Sequence, residues 1–166
     1  MRLAARITGV GAYLPERILT NADLERMVDT DDAWIVERTG IRERHIAADH
    51  ETTSTMGAEA ARRALATAGI EATDLDLIVT GTCTPDGLFP AAATLIQHQI
   101  GATRAGTFDV NAACTGFLSA LSVATNFIAA GQAERVLVIG AETLSRIVDW
   151  TDRGTCILFG DAAGAG

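Results

Sequence analysis

The 166-residue sequence contains no lysine, and all 13 of its basic residues are arginine. Lysine forms Schiff bases, holds pyridoxal phosphate and completes Walker-type phosphate loops, so its absence excludes these chemistries. Any recognition of phosphate must then depend on arginine side chains or helix N-termini. The formal net charge of −8, with no basic stripe along the chain, also argues against a nucleic-acid partner.

Several other patterns are missing. The three cysteines, Cys83, Cys114 and Cys156, are widely spaced and form no CxxC pair, which argues against a disulfide framework and a metal site. No GxGxxG lies between a strand and a helix, so a dinucleotide fold has no support. No apolar run approaches the ~18 residues of a membrane helix, and the N-terminus lacks a signal peptide's apolar region. We therefore expect a cytoplasmic protein without a membrane partner.

The residues that are present predict an ordered α/β domain. Hydrophobic residues make up 48% of the chain, enough for a sizeable core. Apolar runs predict strands at residues 7–13, 75–80, 105–110, 135–140 and 155–159. Capping residues and helical periodicity predict helices at residues 20–27, 30–40, 53–68, 91–100 and 118–130, the last apolar on every side and therefore buried. This alternation indicates a mostly parallel sheet flanked by helices.

Cys114 is the strongest candidate for chemistry. It lies in FDVNAACTGF, residues 108–117, where a strand-like run turns abruptly into a helix-like run. A helix N-terminus presents unpaired N–H groups and a partial positive charge, which stabilise a thiolate relative to a thiol. The small neighbouring residues leave room for a sharp turn, as in a nucleophile elbow with cysteine in place of serine. From these residues alone, a small buried structural cysteine remains the alternative.

With these motifs in place, the chain resembles the β-ketoacyl-[acyl-carrier-protein] synthase III family of the thiolase-like superfamily. The matching stretches are residues 11–16, 20–25, 32–44, the segment around Cys114, 151–154 and 159–161. The resemblance implies two similar halves, each a five-stranded sheet with helices, stacked as a five-layered αβαβα sandwich. Residues 1–166 are then expected to be the N-terminal half, without the C-terminal half that supplies the family's catalytic His and Asn.

The resemblance also implies a reaction. Cys114 would take the acetyl group from acetyl-CoA, or another short acyl-CoA, and condense it with malonyl-acyl-carrier protein. This decarboxylative condensation starts type II fatty-acid biosynthesis. Coenzyme A enters as part of a thioester substrate, and no cofactor is implied.

Residues for binding coenzyme A follow from the same resemblance. Trp34 and Arg153 would stack on the adenine, while Thr30 and Arg38 would contact the nucleotide. The spacing of Trp34 and Arg38, four residues apart on one helical face, is compatible with holding a flat ring. A half-buried tryptophan packed by a neighbouring arginine is the alternative for this pair.

Two further residues are assigned to the acyl pocket by resemblance. Phe89 would reach across the interface of a homodimer and close the partner's pocket, and Leu144 would line the same pocket. Simple loop packing is the alternative for Phe89.

Other residues that might suggest chemistry receive no catalytic role. His45 and His50 lie in charged segments and are expected to be solvated, while His98 is expected to be packed or at an interface. Cys83 and Cys156 are expected to be buried or loop thiols.

Alternatives to a fatty-acid enzyme remain at this point. A synthase III-like enzyme of polyketide or quinolone biosynthesis would use another acyl starter. Hydroxymethylglutaryl-CoA synthase and chalcone synthase fit the motifs less well. A non-catalytic half-subunit that pairs with another half is a further possibility. If the chain is a half, we expect it to aggregate when expressed alone and to lack condensing activity.

Overall fold

The computed structural model describes residues 5–166, which divide into two compact units. The larger one, here called the sheet unit, contains the residues up to Tyr13, Thr52–Glu142 and Ala163–Gly166. The other, here called the small unit, contains Leu14–Glu51 and Thr143–Ala162.

Strands and short helices alternate along the described chain. The strands are β1 (Gly11–Tyr13), β2 (Arg17–Thr20), β3 (Glu43–Ile46), β4 (Leu77–Gly81), β5 (Gly106–Val110), β6 (Val136–Thr143) and β7 (Asp161–Ala165). The α-helices are α1 (Asn21–Leu24), α2 (Asp32–Thr39), α3 (Thr53–Ala68), α4 (Ala92–Ile100) and α5 (Gly116–Ala129). Helix α3 has the bounds that its periodicity and its glycine stop predicted.

The sheet unit is built on five strands in the order β1-β7-β6-β4-β5. Strand β4 pairs in parallel with both β5 and β6, whereas β1 pairs antiparallel with β7. Val138 and Gly166 exchange both backbone hydrogen bonds, at 2.8 and 2.9 Å, which is the antiparallel pattern at the junction of β6 and β7. Since β7 alone runs against the other strands of this described sheet, the predicted mostly parallel sheet is confirmed.

Helices cover both faces of this sheet. On one face, Val79 of β4 packs in a cluster with Ala120 of α5. On the other face, a Cβ added to Gly57 of α3 would lie 2.7 Å from Ile96 of α4 and 3.5 Å from Ile139 of β6. Because successive strand residues point to opposite faces, the central strands are apolar on both sides.

The small unit contains an antiparallel pair and its own core. Strands β2 and β3 pair with Leu19 opposite Arg44, and neither strand was predicted. Helix α2 begins after Asp31, whose carboxylate accepts from the Trp34 N–H at 2.7 Å, and it ends at Gly40 with φ 72°. These are the capping acid and the glycine stop that the sequence indicated.

The predicted strand at residues 155–159 is wrong. Cys156 N donates to Asp152 O at 3.0 Å, and Leu158 N donates to Thr155 O at 3.0 Å, so the segment forms turns. The apolar side chains of Cys156 and Ile157 pack into the core of the small unit, which explains the apolar run without a strand. A short apolar run does not reveal by itself whether it is buried as a strand or as a turn.

The helix after Cys114, predicted to be buried as a central helix of a two-half fold, is buried along only part of its surface within the described chain. Helix α5 buries Gly116, Ala120 and Ala124, while Leu118 is 65% exposed. Within residues 5–166, no helix combines the length and the apolarity that crossing a bilayer requires.

The packing of α3 on β1 leads to a stability prediction. A Cβ at Gly11 would lie 2.3 Å from Ala60 O and 2.4 Å from Ala64 N, and backbone atoms cannot move away unless helix and strand separate. We expect Gly11→Ala to lower the free energy of unfolding by about 1–3 kcal/mol, measured by urea denaturation. The matched control is Gly164→Ala on the paired strand, where an added Cβ meets nothing within 4 Å. Its expected change is within about 0.5 kcal/mol, and equal losses in both variants would contradict the prediction.

Candidate active site

Cys114 lies on a strained turn between β5 and α5. A 3-10 turn, Ala113–Thr115, joins the two elements, and Ala113 has a φ of 45°. Residues other than glycine rarely adopt this left-handed backbone conformation, and those that do are often found at functional turns. The turn leaves Cys114 exposed, so the predicted sharp elbow is present.

The N-terminus of α5 has no side-chain cap. Thr115 stands at the N-cap position, but its hydroxyl donates to Ala112 O at 2.8 Å and accepts nothing from the helix. The Gly116 N–H donates to Ala113 O, but no side chain caps the positive end of the α5 dipole, which begins directly after Cys114.

Two glycines allow α5 to start against the sheet. A Cβ at Gly81, the last residue of β4, would lie 2.5 Å from the carbonyl carbon of Gly116 and 2.8 Å from the nitrogen of Phe117. Gly140 pairs with Gly81 on the neighbouring strand, and a Cβ there would lie 3.3 Å from the Phe117 Cβ. The contact between β4 and α5 thus requires glycine, and it sets the height of the Cys114 turn above the sheet.

Glu142 holds the loop that follows β4. Its carboxylate accepts from Cys83 N at 2.8 Å, Thr84 N at 3.1 Å and the Thr82 hydroxyl at 3.3 Å, and also from the Thr84 hydroxyl. Burial raises the pKa of the Cys83 thiol, and the hydrogen bond and negative charge of Glu142 raise it further, with a smaller contribution from Cys114. Cys83 is therefore held protonated beside a fixed carboxylate.

Two aspartates attach neighbouring segments to helix N-termini. Asp109 of β5 accepts from Ala92 N at 2.7 Å and Ala93 N at 2.8 Å, which caps α4 from the strand that leads to Cys114. Asp86 accepts from Ser54 N at 2.8 Å and from the Ser54 hydroxyl at 2.7 Å, which ties its loop to the start of α3. Carboxylates at helix N-termini accept hydrogen bonds from the free N–H groups, and their negative charge interacts favourably with the positive end of the helix dipole.

Beyond Asp86, the same loop presents its apolar tip to solvent. Leu88 is 99% exposed and Phe89 is 87% exposed, and the Phe89–Pro90 bond is cis. Phe89 is therefore not packed against its own loop within the described chain, which argues against the alternative of simple loop packing. Its role in closing a pocket stays a prediction.

The small unit brings three predicted side chains together. The guanidinium carbons of Arg38 and Arg153 lie 4.3 and 4.2 Å from the ring centroid of Trp34. Both distances are within the range of cation–π contact. Arg153 also lies 3.8 Å from the Asp29 carboxylate. We call Trp34, Arg38 and Arg153 the Trp34 cluster.

The remaining two predicted residues also belong to the small unit. Thr30 is partly buried, and neither its hydroxyl nor the Arg153 Nε has a hydrogen-bond partner among residues 5–166. Leu144 begins the turn Leu144–Arg146 after β6 and is half-buried. Cys114 and Phe89, by contrast, belong to the sheet unit.

The histidines differ in part from expectation. His45 is half-buried, with Nδ1 2.5 Å from Pro15 O, so the expectation of a solvated side chain is wrong. His98 is exposed on α4, so it is not packed within the described chain and its place at an interface stays a prediction, while His50 is exposed as expected. Within the described residues, no group of three His, Cys, Asp or Glu side chains could hold a metal ion.

Sequence reasoning missed Glu142, Asp109 and the glycine pair formed by Gly81 and Gly140. A signal was present, since each acid follows or interrupts an apolar strand run. An acid at such a position is costly to bury unless it accepts hydrogen bonds, and here both do.

Comparison with known proteins connects this geometry to a family. The family model for 3-oxoacyl-[acyl-carrier-protein (ACP)] synthase III matches residues 108–166. A β-ketoacyl-[acyl-carrier-protein] synthase III of Rhodospirillum centenum is 62% identical over 165 residues, which make up 99% of this chain and 51% of that protein.

Solved structures agree with this similarity. The crystal structure of 3-oxoacyl-[acyl-carrier-protein] synthase III from Aquifex aeolicus VF5 gives a TM-score of 0.94 at 53% identity, covering 96% of this chain and 51% of that one. The priming β-ketosynthase of the R1128 polyketide biosynthetic pathway also gives 0.94, at 42% identity, with coverages of 96% and 48%. The chain thus spans about half the length of the relatives it matches.

The different environments of the three thiols predict their order of alkylation. Near pH 8, iodoacetamide should modify the exposed Cys114 first and the half-buried Cys83 more slowly, because the pKa of Cys83 is raised. The buried Cys156 should react only after unfolding. Peptide mass spectrometry over time gives all three rates.

The variant Glu142→Gln tests why Cys83 should react slowly. It removes a negative charge that raises the pKa of that thiol, so the thiolate fraction and the alkylation rate of Cys83 should increase. Cys156 should stay protected in the same variant. If Cys83 reacts as fast as Cys114 in the unaltered protein, the prediction is wrong.

Proposed function

Because this chain is homologous over nearly its whole length to the β-ketoacyl-[acyl-carrier-protein] synthase III family and spans about half of its relatives, we propose that it is the cysteine-bearing part of a condensing acyltransferase. Its reaction would start type II fatty-acid biosynthesis. The observation that carries the proposal is the exposed Cys114 on a strained turn at the uncapped start of α5.

In the first step, the sulfur of Cys114 attacks the thioester carbon of acetyl-CoA. The bond from that carbon to the CoA sulfur breaks, CoA leaves as the thiol, and Cys114 is left acetylated. The carbonyl oxygen carries negative charge in the transition state, and we assign the Cys114 backbone N–H to donate one hydrogen bond to it. The uncapped dipole of α5 favours the same charge.

In the second step, malonyl-acyl-carrier protein loses carbon dioxide, and the enolate carbon formed attacks the acetyl thioester. The bond from the acetyl carbon to the Cys114 sulfur breaks, acetoacetyl-acyl-carrier protein results, and the Cys114 thiolate that leaves takes up a proton from solvent to restore the thiol. No cofactor takes part, because decarboxylation itself supplies the carbanion. We assign the histidine and asparagine that would stabilise the enolate to a part of the enzyme outside this chain.

The Trp34 cluster is assigned to the adenine of coenzyme A. At 4.2 Å, Arg153 is in direct contact with the Trp34 ring, so an adenine stacked between them must displace its guanidinium. The unpartnered Arg153 Nε and Thr30 hydroxyl are then free to bond the nucleotide. With no lysine in the chain, arginine supplies the positive charge for the phosphates, and we assign this role to Arg38, which lies beside Trp34.

The proposed enzyme works as a cytoplasmic homodimer. The exposed Leu88 and Phe89 offer an apolar tip that a second copy would cover, and Phe89 would close the acyl pocket of that copy. Leu144 is assigned to the wall of the same pocket.

A second candidate is an enzyme that primes polyketide biosynthesis with another acyl group. The 42% identity and TM-score of 0.94 with the R1128 priming β-ketosynthase support it. Rates of Cys114 acylation with acetyl-CoA and with longer acyl-CoAs separate the two. A preference for the longer chains would favour polyketide priming, and no acylation by any acyl-CoA would leave a non-catalytic half-subunit.

Self-acetylation tests the role of Cys114. When the full-length gene product is incubated with acetyl-CoA, peptide mass spectrometry should place one acetyl group on Cys114. Cys114→Ser should abolish this label, whereas Cys83→Ala, which removes the neighbouring thiol, should retain it. Acetylation that persists in Cys114→Ser would refute the assignment.

Trp34→Ala tests the adenine site. Aromatic stacking and cation–π contact contribute on the order of 1–2 kcal/mol when desolvated, so the KM for acetyl-CoA should increase about tenfold. At saturating acetyl-CoA, the use of malonyl-acyl-carrier protein should change less. Steady-state kinetics measure both, and an unchanged KM for acetyl-CoA would rule out the stacking role.

A further inference from the structure

Arg44 is a buried cation without a carboxylate partner. It lies on β3 with 5% of its surface exposed, and no ion pair among residues 5–166 includes it. Burial lowers the pKa of its guanidinium. A buried charge of this kind is unfavourable unless hydrogen bonds compensate it, so its partners indicate what it does.

The guanidinium of Arg44 joins separate parts of the small unit. One terminal nitrogen donates to Leu19 O at 3.2 Å and to Asn21 Oδ1 at 3.0 Å. The other donates to Ile157 O at 3.0 Å. A single side chain therefore connects β2, α1 and the turns that precede β7.

From Asn21 the connection continues to α2. The Asn21 side-chain amide donates to Asp32 Oδ1 at 2.8 Å and to Ile41 O at 2.8 Å. Asp32 is the first residue of α2, two positions before Trp34, and Ile41 follows the end of the same helix. Arg44 is thus linked through one buried amide to both ends of the helix that carries Trp34 and Arg38.

On its other side, Arg44 holds the segment that carries Arg153. Ile157 O accepts from Arg44, and the adjacent Cys156 N donates to Asp152 O at 3.0 Å. The turn that contains Arg153 is therefore closed next to the point where Arg44 is bonded. The planar fork of arginine serves three acceptors at once, which the single ammonium of lysine cannot do in the same geometry.

We propose that Arg44 is a positioning residue for the Trp34 cluster: it sets the spacing between Trp34 on α2 and Arg153 on the 152–158 turn. The backbones that carry Trp34 and Arg153 are then already held at a fixed spacing when coenzyme A binds, and only the Arg153 guanidinium has to move. This inference rests on the proposed function and deepens it, because it names a residue that controls nucleotide affinity without contacting the nucleotide.

The first test is the affinity for coenzyme A, measured by calorimetry on the full-length gene product. Arg44→Lys should weaken binding about 3- to 10-fold, the size expected when one or two side chains must be ordered on binding. Arg42→Lys is the matched control, since Arg42 is exposed on the same segment and its change should leave the affinity unaltered.

A second readout separates positioning from a general loss of structure. Acetyl-N-acetylcysteamine is a thioester with no nucleotide, so its acetylation of Cys114 should proceed at the unaltered rate in Arg44→Lys. With acetyl-CoA, the KM should rise while the rate at saturation stays unchanged. Cys156, buried beside Ile157, should remain protected from iodoacetamide.

A second variant is available if Arg44→Lys does not fold. Asn21→Ala cuts the connection to α2 but leaves the bonds from Arg44 to Leu19 and Ile157, and it should weaken coenzyme A binding by a similar factor. Unchanged affinity in whichever variant folds would overturn the inference. Weaker binding together with an alkylated Cys156 would also overturn it, because Arg44 would then support the whole core.

The proposed function fails under different results. A protein that binds coenzyme A and responds to Arg44→Lys, but never becomes acetylated, refutes the acyltransferase and supports the positioning role. An unaltered protein that binds no coenzyme A overturns both.

Discussion

The backbone of α5 touches the backbone of β4 at its first turn, and the placement of Cys114 depends on that contact. Gly81, the last residue of β4, lies beside Gly140 in the middle of β6, and a Cβ on either would press on Gly116 or Phe117. Because the first turn of α5 lies directly against β4, the chain must turn sharply after β5, and Ala113 takes a left-handed conformation. The exposed nucleophile is thus a consequence of close packing between two backbones.

Around that contact, acids hold the neighbouring segments in place. Glu142 binds the loop after β4, and Asp109 caps α4 from the strand before Cys114. In the small unit, buried Asp161 accepts from Ala47 N at 2.7 Å and Ser145 N at 2.9 Å. Backbone N–H groups at a strand end or a helix start lack a partner in the regular structure. Each of these carboxylates accepts hydrogen bonds from such groups in place of water.

Basic residues have the complementary role. With no lysine in the chain, every fixed positive side chain is a planar guanidinium, suited to stacking and to serving several acceptors. Arg38 and Arg153 stack on Trp34, while the buried Arg44 bonds the segments on which that cluster stands.

The sequence by itself determined whatever depends on neighbouring residues. Helix α3 could be bounded from its periodicity and Gly69, and the turn at Cys114 from small residues between a strand and a helix. Only the tertiary structure decided what residues 155–159 would form, since their apolar side chains are satisfied by a core that distant segments build. The same holds for Glu142 and Arg44, whose partners lie 58 to 60 and 23 to 113 positions away. Local periodicity and capping are properties of a short segment, whereas the partner of a buried charge is chosen only when the chain packs.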